Sequence, residues 1–274
     1  ISGYGRTGPY ADKGGFDLVA QGMSGLMSIT GESKDKPPMK VGAPITDITA
    51  GLLATSGILA ALVHRNKTGE GQKVDTSLFE AGIVHTYWQS AIAGATGQSP
   101  GPLGSAHPLT APYQAFKTLD KWITVGASNQ NTWLMLLKAI NRMDLQENEM
   151  FSSNFNRKKN ITQLVEILNA ELIKKTSDEW LKIFDDNGLP CGPINSINEM
   201  FEDPQTIERE MIIEVDNKKA GTSKAIGMPI KFSKSKTEKS KGAPNLGEHT
   251  KEIMKIFNYN DEQIENFYNR KVIL

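Results

Sequence analysis

Apolar residues recur at helical spacing in three segments of the first hundred residues. They predict helices over 16–27, 48–66 and 77–95, with a short strand over 73–75 between the last two. The two later helices are rich in glycine and alanine, whose small size lets neighbouring helices approach closely. We therefore expect this zone to be densely packed.

The pattern changes after residue 100 to strands that alternate with helices. Alternating apolar and polar positions over 113–117 and 122–126 predict a hairpin. Helical spacing predicts helices over 131–140, 161–175 and 177–186, and a capping box at Thr176 and Glu179 opens the last one. Residues 101–195 are therefore predicted to form a smaller α+β domain.

The last zone, 196–274, is mixed again. Its pattern predicts strands over 211–215 and 226–232 and helices over 248–257 and 261–269. Between them, 233–241 is rich in lysine and serine and is predicted to be a solvated surface loop.

Charge and composition narrow the classes of partner. Lysine plus arginine number 31 and aspartate plus glutamate number 31, so the formal net charge is zero. This balance removes the electrostatic argument for a nucleic acid or an anionic membrane as partner. Cys191 is the one cysteine of the chain, which excludes an internal disulfide and a multi-cysteine metal site. We expect no metal.

The most apolar stretch, 48–63, is shorter than the roughly 20 residues that a membrane-spanning helix needs. It runs into a basic turn and Gly69, which is typical of a soluble helix end, so we predict a core helix. No signal-peptide pattern follows Ile1. A cytoplasmic location is expected, or the mitochondrial matrix if a leader precedes residue 1. The start at Ile1, in residues that resemble a strand end, indicates a chain that begins inside a larger protein.

The sequence lacks the common phosphate-loop, dinucleotide, zinc-protease and serine-hydrolase motifs. One carboxylate is nevertheless a candidate catalytic group. Asp47 opens the most apolar predicted helix. One interpretation is that Asp47 is simply the N-cap of that helix, with no further function. In the same place, however, the helix dipole keeps a carboxylate ionised and apolar surroundings desolvate it, which favours a covalent nucleophile. The residues alone leave both interpretations open.

Segments spread over the whole chain resemble the family III CoA-transferases, and the succinyl-CoA–glutarate type most of all. The matching segments are VGAPITDITAG (41–51), HRNKTGEGQKVD (64–75), SGYG with GP (2–9), GSAHP with APYQ (104–114), GLPCGP (188–193) and LGEHT (246–250).

This resemblance implies an α/β fold. A Rossmann-like large domain would comprise residues 1–100 and 196–274, with its first half in sequence before residue 1, and 101–195 would be the inserted smaller α+β domain. That preceding segment would supply much of the adenine and phosphate binding. The resemblance also implies an interlocked homodimer.

The implied mechanism is covalent and uses coenzyme A as a substrate, with no metal. The family's catalytic aspartate falls on Asp47, which would form an acyl–aspartyl anhydride and then an aspartyl-CoA thioester. The acceptor would be a small carboxylic acid, most readily a dicarboxylic one. The resemblance assigns CoA or substrate contacts to Tyr4, Gly5, Phe16, Asp17, Gln21, Leu78 and His107.

Two alternatives stay open. One is an acyl-CoA racemase or isomerase of the same fold, but the racemase relatives carry a histidine base where Phe16 stands and an acidic residue near Asn129. A phenyl ring cannot take a proton from an α-carbon. The other is a non-catalytic fragment or binding module. Acceptor specificity is expected in loops 97–108 and 128–131.

Overall fold

The computed structural model describes residues 1–217, 219–235 and 241–274. They form two compact units, Ile1–Ile194 and Asn195–Leu274. The division into 1–100, 101–195 and 196–274, with the outer two joined as one large domain, stays a prediction.

The first part of the Ile1–Ile194 unit is helical. Its helices are α1 (Asp17–Met23), α2 (Leu26–Ile29), α3 (Ile45–Thr68), α4 (Leu78–Val84) and α5 (Tyr87–Thr96). The single predicted helix over 16–27 is wrong, because Gly25 takes a left-handed conformation with φ 87° and separates α1 from α2. The predicted helix over 77–95 is likewise divided by a turn at His85 and Thr86.

The predicted strand over 73–75 is also wrong. Its residues are irregular, and Ser77 makes one isolated parallel bridge to Ser2 instead. The N–H groups of Leu78 and Phe79 then donate to the carbonyl oxygens of Ser2 and Gly3, at 3.0 Å each. The start of α4 is therefore tied to the first residues of the chain.

Helix α3 differs from the predicted core helix, because Thr46 and Ala50 are its only fully buried residues in this chain. It packs against α1 and α4 on one side. Apolar side chains on its remaining surface are exposed, among them Leu52 at 64% and Leu59 at 59%. By length and composition alone α3 could cross a membrane, a criterion that core helices and signal sequences meet as well.

The rest of this unit builds its main hydrophobic core. The strands β1 (Tyr113–Lys117), β2 (Trp122–Gly126) and β3 (Cys191–Pro193) form an antiparallel sheet in that order. The helices are α6 (Gln130–Ala139), α7 (Asn154–Lys159), α8 (Ile161–Leu172) and α9 (Ser177–Asp186). Trp133, Phe184 and Leu168 are fully buried in the core that this sheet and these helices share.

The Asn195–Leu274 unit contains a hairpin and four helices among its described residues. They are α10 (Ile197–Glu202), α11 (Pro204–Glu208), β4 (Ile212–Asn217), β5 (Gly221–Ile226), α12 (Thr250–Ile256) and α13 (Asp261–Asn269). The predicted strand over 226–232 is wrong, because β5 pairs with β4 from Gly221 and ends at Ile226. Most of the predicted lysine-rich loop, 236–240, lies outside the described residues.

The two described sheets are both antiparallel. The chain is thus a mixed α/β protein, whereas the Rossmann-like domain and the interlocked dimer stay predictions.

Candidate functional site

The first turn of α3 is capped by a side chain from another helix. Pro44 stands at the N-cap and makes no side-chain cap bond. Instead, Oδ1 of Asp17 accepts hydrogen bonds from the N–H of Thr46 at 3.0 Å and from its Oγ1 at 2.8 Å. One free N–H of the helix end is thereby satisfied from α1.

Gln21 completes this arrangement one turn along α1. Its Nε2 donates to Oδ2 of Asp17 at 2.8 Å, and its Oε1 accepts from the N–H of Val41 at 2.9 Å. Gln21 and Thr46 are fully buried. We call Asp17, Gln21 and Thr46 the Asp17 clamp, since they join α1 to the first turn of α3 and to the segment before it.

The Asp17 clamp favours an ionised carboxylate. Burial by itself would raise the pKa of Asp17, but the hydrogen bonds from Thr46 and Gln21 and the charge of Lys40 outweigh it, so the pKa lies below its usual value. A charged acceptor at a helix N-terminus is also favoured by the helix dipole.

Asp47 directly follows Thr46 and has different surroundings. It is the third residue of α3, so the N-cap interpretation is wrong. Its side chain is exposed, and within the described residues it has no hydrogen-bond or ion-pair partner. The clamp thus fixes the backbone of Thr46, next to Asp47, and makes no contact with the Asp47 carboxylate.

The backbone just before α1 crosses the N-terminal segment closely, at Gly15 and Gly3. A Cβ atom on Gly3 would lie 2.9 Å from the Cα of Gly15, so neither glycine tolerates a side chain. The crossing places the Tyr4 ring 6.0 Å from that of Phe79, the residue after Leu78. Gly5 follows in a left-handed conformation with φ 91°.

Phe16 immediately precedes the clamp and is 80% exposed. Seven of the sequence-predicted residues therefore lie on connected segments: the N-terminal segment, α1 with its N-cap, and the starts of α3 and α4. They are Tyr4, Gly5, Phe16, Asp17, Gln21, Asp47 and Leu78. In this structure Asp17 and Gln21 accept hydrogen bonds from the backbone N–H groups of Thr46 and Val41.

His107 lies in a separate loop, residues 107–112, which we call the His107 loop. Its ring is packed edge-on against Trp88 at 5.0 Å and Tyr113 at 5.2 Å between centroids. Within the described chain, no hydrogen bond or ring contact joins it to Asp47. Burial lowers the pKa of His107, and the neighbouring Lys158 ammonium lowers it further.

A cavity of about 470 Å³ adjoins β1 and β2 near this loop. Ser105 and Ser128 both line it, together with Gln114, Thr124 and Cys191. Ser105 belongs to loop 97–108 and Ser128 to loop 128–131, so both segments predicted to set acceptor specificity reach one cavity.

Cys191 lacks the character of a nucleophile. Burial, together with the nearby Asp185, raises the pKa of its thiol to about 11. Among the described residues, no group of three histidine, cysteine, aspartate or glutamate side chains is arranged to hold a metal ion.

Sequence reasoning missed Thr46, Asn154 and Lys158. Thr46 meets Asp17 across 29 residues, and Lys158 meets the carbonyl of His107 across 51. Pairings at that separation have no local spacing signal in a single sequence.

Comparison with known proteins places this geometry in context. The sequence model of the protein family described as CoA-transferase family III matches residues 1–250 of this chain. An acyl-CoA transferase of Fusarium pseudograminearum is 39% identical, over 97% of this chain and 59% of its own length. The succinyl-CoA:glutarate CoA-transferase of Mus musculus is 35% identical, over 97% of this chain and 61% of its own length.

A solved structure agrees with the fold. A CaiB/BaiF family protein from Brucella suis superposes with a TM-score of 0.79 at 33% identity, covering 93% of this chain and 66% of that protein. The chain spans about three fifths of the length of the curated relatives it matches.

Proposed function

Because the chain belongs to CoA-transferase family III, we propose that its protein transfers coenzyme A from an acyl-CoA to a small carboxylic acid, with Asp47 as the covalent nucleophile. The observation that carries this proposal is the contrast at the start of α3. Thr46 is held by the Asp17 clamp, while the carboxylate of Asp47 is exposed and without a partner in the described chain.

The proposed exchange proceeds through a series of covalent intermediates on Asp47. The Asp47 carboxylate attacks the thioester carbonyl, the C–S bond breaks, and an acyl–aspartyl anhydride and CoA thiolate form. The thiolate attacks the aspartyl carbonyl and expels the donor acid, which leaves an aspartyl-CoA thioester. The acceptor carboxylate attacks that thioester and releases the CoA thiolate, which leaves a second anhydride between the acceptor acid and Asp47. The thiolate then attacks the acyl carbonyl of the acceptor, forms the new thioester and frees the Asp47 carboxylate. Dividing one difficult exchange into these steps is the catalytic gain.

The acceptor we propose is a dicarboxylic acid. Relatives include a succinyl-CoA:glutarate CoA-transferase and an acetyl-CoA:oxalate CoA-transferase, whose names contain dicarboxylic acids. The cavity shared by Ser105 and Ser128 offers hydroxyl groups to one carboxylate of such an acid. His107 is proposed as a further acceptor contact, and Tyr4, Gly5, Phe16 and Leu78 as contacts of the acyl-CoA.

A racemase of the same fold is the second candidate, and Phe16 disfavours it. Its exposed phenyl ring stands beside the clamp where a proton-abstracting base would be needed. Phe16 is better suited to cover the apolar part of an acyl-CoA.

A homodimer is part of the proposal. The exposed apolar side chains of α3 form a surface of the kind that marks protein–protein contacts. A second copy would bury them.

The cytoplasmic location stays a prediction.

A trapping experiment tests the covalent mechanism. The intact protein is incubated with succinyl-CoA and then with hydroxylamine, which converts an aspartyl anhydride or thioester to a hydroxamate. We expect peptide mass spectrometry to find the hydroxamate at Asp47 and not at the exposed Asp12. Steady acyl exchange with an unmodified Asp47 would contradict the mechanism.

A further inference from the structure

Helix α7 holds the His107 loop by several side chains. Asn154 accepts from the N–H of Ala111 at 3.0 Å through Oδ1 and donates to the carbonyl of Leu109 at 2.9 Å through Nδ2. Lys158 donates from Nζ to the carbonyl oxygen of His107 at 2.9 Å. One short helix therefore fixes the loop backbone at both ends and in the middle.

A buried arginine anchors this helix. Arg157 is fully buried, and its Nε donates to the carbonyl of Ala111 at 2.8 Å. Its Nη1 donates to the carbonyl of Phe151 and to Oε1 of Gln130, and the guanidinium lies 5.0 Å from the ring centroid of Trp133. Since these contacts come from the core, α7 is a rigid support for the loop.

Helix α7 contributes two cations to the contacts with the loop, Arg157 and Lys158. Throughout the described residues, neither Arg157 nor Lys158 has an ion-pair partner, and the oxygens that they contact belong to carbonyl and amide groups. Their charge is therefore not cancelled locally. It leaves a positive potential around the His107 loop, which attracts a carboxylate ligand.

The same loop also determines which ring nitrogen of His107 carries the proton. Its Nδ1 accepts hydrogen bonds from the N–H groups of Leu109 at 3.1 Å and Thr110 at 3.2 Å. An accepting Nδ1 places the proton of the neutral ring on Nε2. In the part of the chain that the structure describes, Nε2 of His107 has no acceptor, so it is a donor available to a ligand.

We propose that Asn154 and Lys158 are positioning residues that fix His107 as a neutral Nε2–H donor to the carboxylate of the acceptor acid. This inference rests on the proposed CoA-transferase function, in which that acid must be bound before it attacks the aspartyl-CoA thioester. A neutral donor orients the acid, whereas a full ion pair with an imidazolium would stabilise the carboxylate before it reacts.

Neighbouring lysines provide a matched test in the intact protein. Lys158→Met removes the bond to the loop, whereas Lys159→Met removes an exposed charge from the same helix. We expect Lys158→Met to raise the KM for glutarate about tenfold and to leave the KM for succinyl-CoA unchanged. Lys158→Arg, which keeps a donor and a charge, should restore most of the binding.

A titration of His107 by NMR gives a readout that does not depend on activity. Lys158→Met should raise its pKa toward that of an ordinary histidine, since the nearby positive charge is removed, and Lys159→Met should change it little. Equal effects of the two variants on both the KM for glutarate and this titration would overturn the positioning role. If no hydroxamate forms at Asp47 but the titration of His107 behaves as expected, the covalent mechanism is rejected and the titration result still stands.

Discussion

The carboxylate of Asp17 accepts two hydrogen bonds from a single residue, Thr46, one from its backbone and one from its hydroxyl. Because the next residue is Asp47, the orientation of the proposed nucleophile depends on a contact between two helices. Removal of the Asp17 side chain should therefore affect both stability and catalysis.

Asp17→Ala should lower the free energy of unfolding by about 1–2 kcal/mol, the usual cost of losing a helix cap. Urea denaturation of the intact protein measures this. The control is Asp12→Ala, which removes an exposed aspartate nearby and should change the free energy by less than about 0.5 kcal/mol. Equal losses in the two variants would show that the clamp does not stabilise α3.

The stabilising effect of Asp17 should disappear in acid. Since its pKa is lowered in the folded state, the contribution is present above the pKa of the unfolded chain, near 3.9, and is lost as pH falls through the lower folded value. The difference in unfolding free energy between the wild type and Asp17→Asn should be largest at neutral pH and shrink below about pH 4. A difference that grows on acidification would contradict the sign.

Asp47→Asn should separate catalysis from folding. We expect the exchange rate to fall by about 10⁴-fold or more, because the amide is a poor nucleophile. The unfolding free energy should change by less than about 0.5 kcal/mol, since the side chain is exposed and has no partner among the described residues. Exchange assays and denaturation of the same preparation supply both numbers. A variant that still exchanges CoA at the wild-type rate would refute the assignment.

The Gly3–Gly15 crossing predicts a large difference between adjacent glycines. A Cβ on Gly15 would lie 2.8 Å from the Cα of Gly3, whereas a Cβ on Gly14 would meet no atom within 4 Å. Gly15→Ala should cost about 1–3 kcal/mol through overpacking, and Gly14→Ala should be nearly neutral. Thermal unfolding of the two variants tests this, and similar melting temperatures would argue against the crossing.

Phe16→Ala should affect substrate binding more than stability. An 80% exposed ring contributes little to the core, so the unfolding free energy should change by less than about 0.5 kcal/mol. If the ring covers the acyl-CoA, the KM for the donor should rise several-fold while that for the acceptor stays constant. The control is Leu18→Ala, which removes an exposed apolar side chain within α1, two residues away. Equal donor KM values in both variants would remove Phe16 from the site.

Local sequence signals predicted the elements that carry their own boundaries. The hairpin over 113–117 and 122–126 and the helices over 177–186 and 261–269 form with the predicted bounds. The capping box at Thr176 and Glu179 is present in the structure. In each case the determining residues lie within a few positions of one another.

Some errors are local, such as the missed break at Gly25, but several occur where distant contacts decide the structure. Nothing local in 226–232 reveals that β4 pairs with 221–226 instead. The pattern of α3 resembles a core helix, but burial depends on how much partner surface is available, which a single sequence does not contain. Likewise, Asp47 could be found from the sequence motif, whereas its support by Asp17 through Thr46 required the structure.

The raised pKa of Cys191 has a practical consequence for labelling. As the one cysteine of this chain, with a pKa of about 11, it is almost entirely protonated near neutral pH and reacts slowly with maleimides. A cysteine introduced at an exposed position, such as Ser152, would react far faster. A fluorophore attached at position 152 would lie just before α7, the helix that holds the His107 loop. Binding of the acceptor acid could then be followed by fluorescence, with Cys191 left in place.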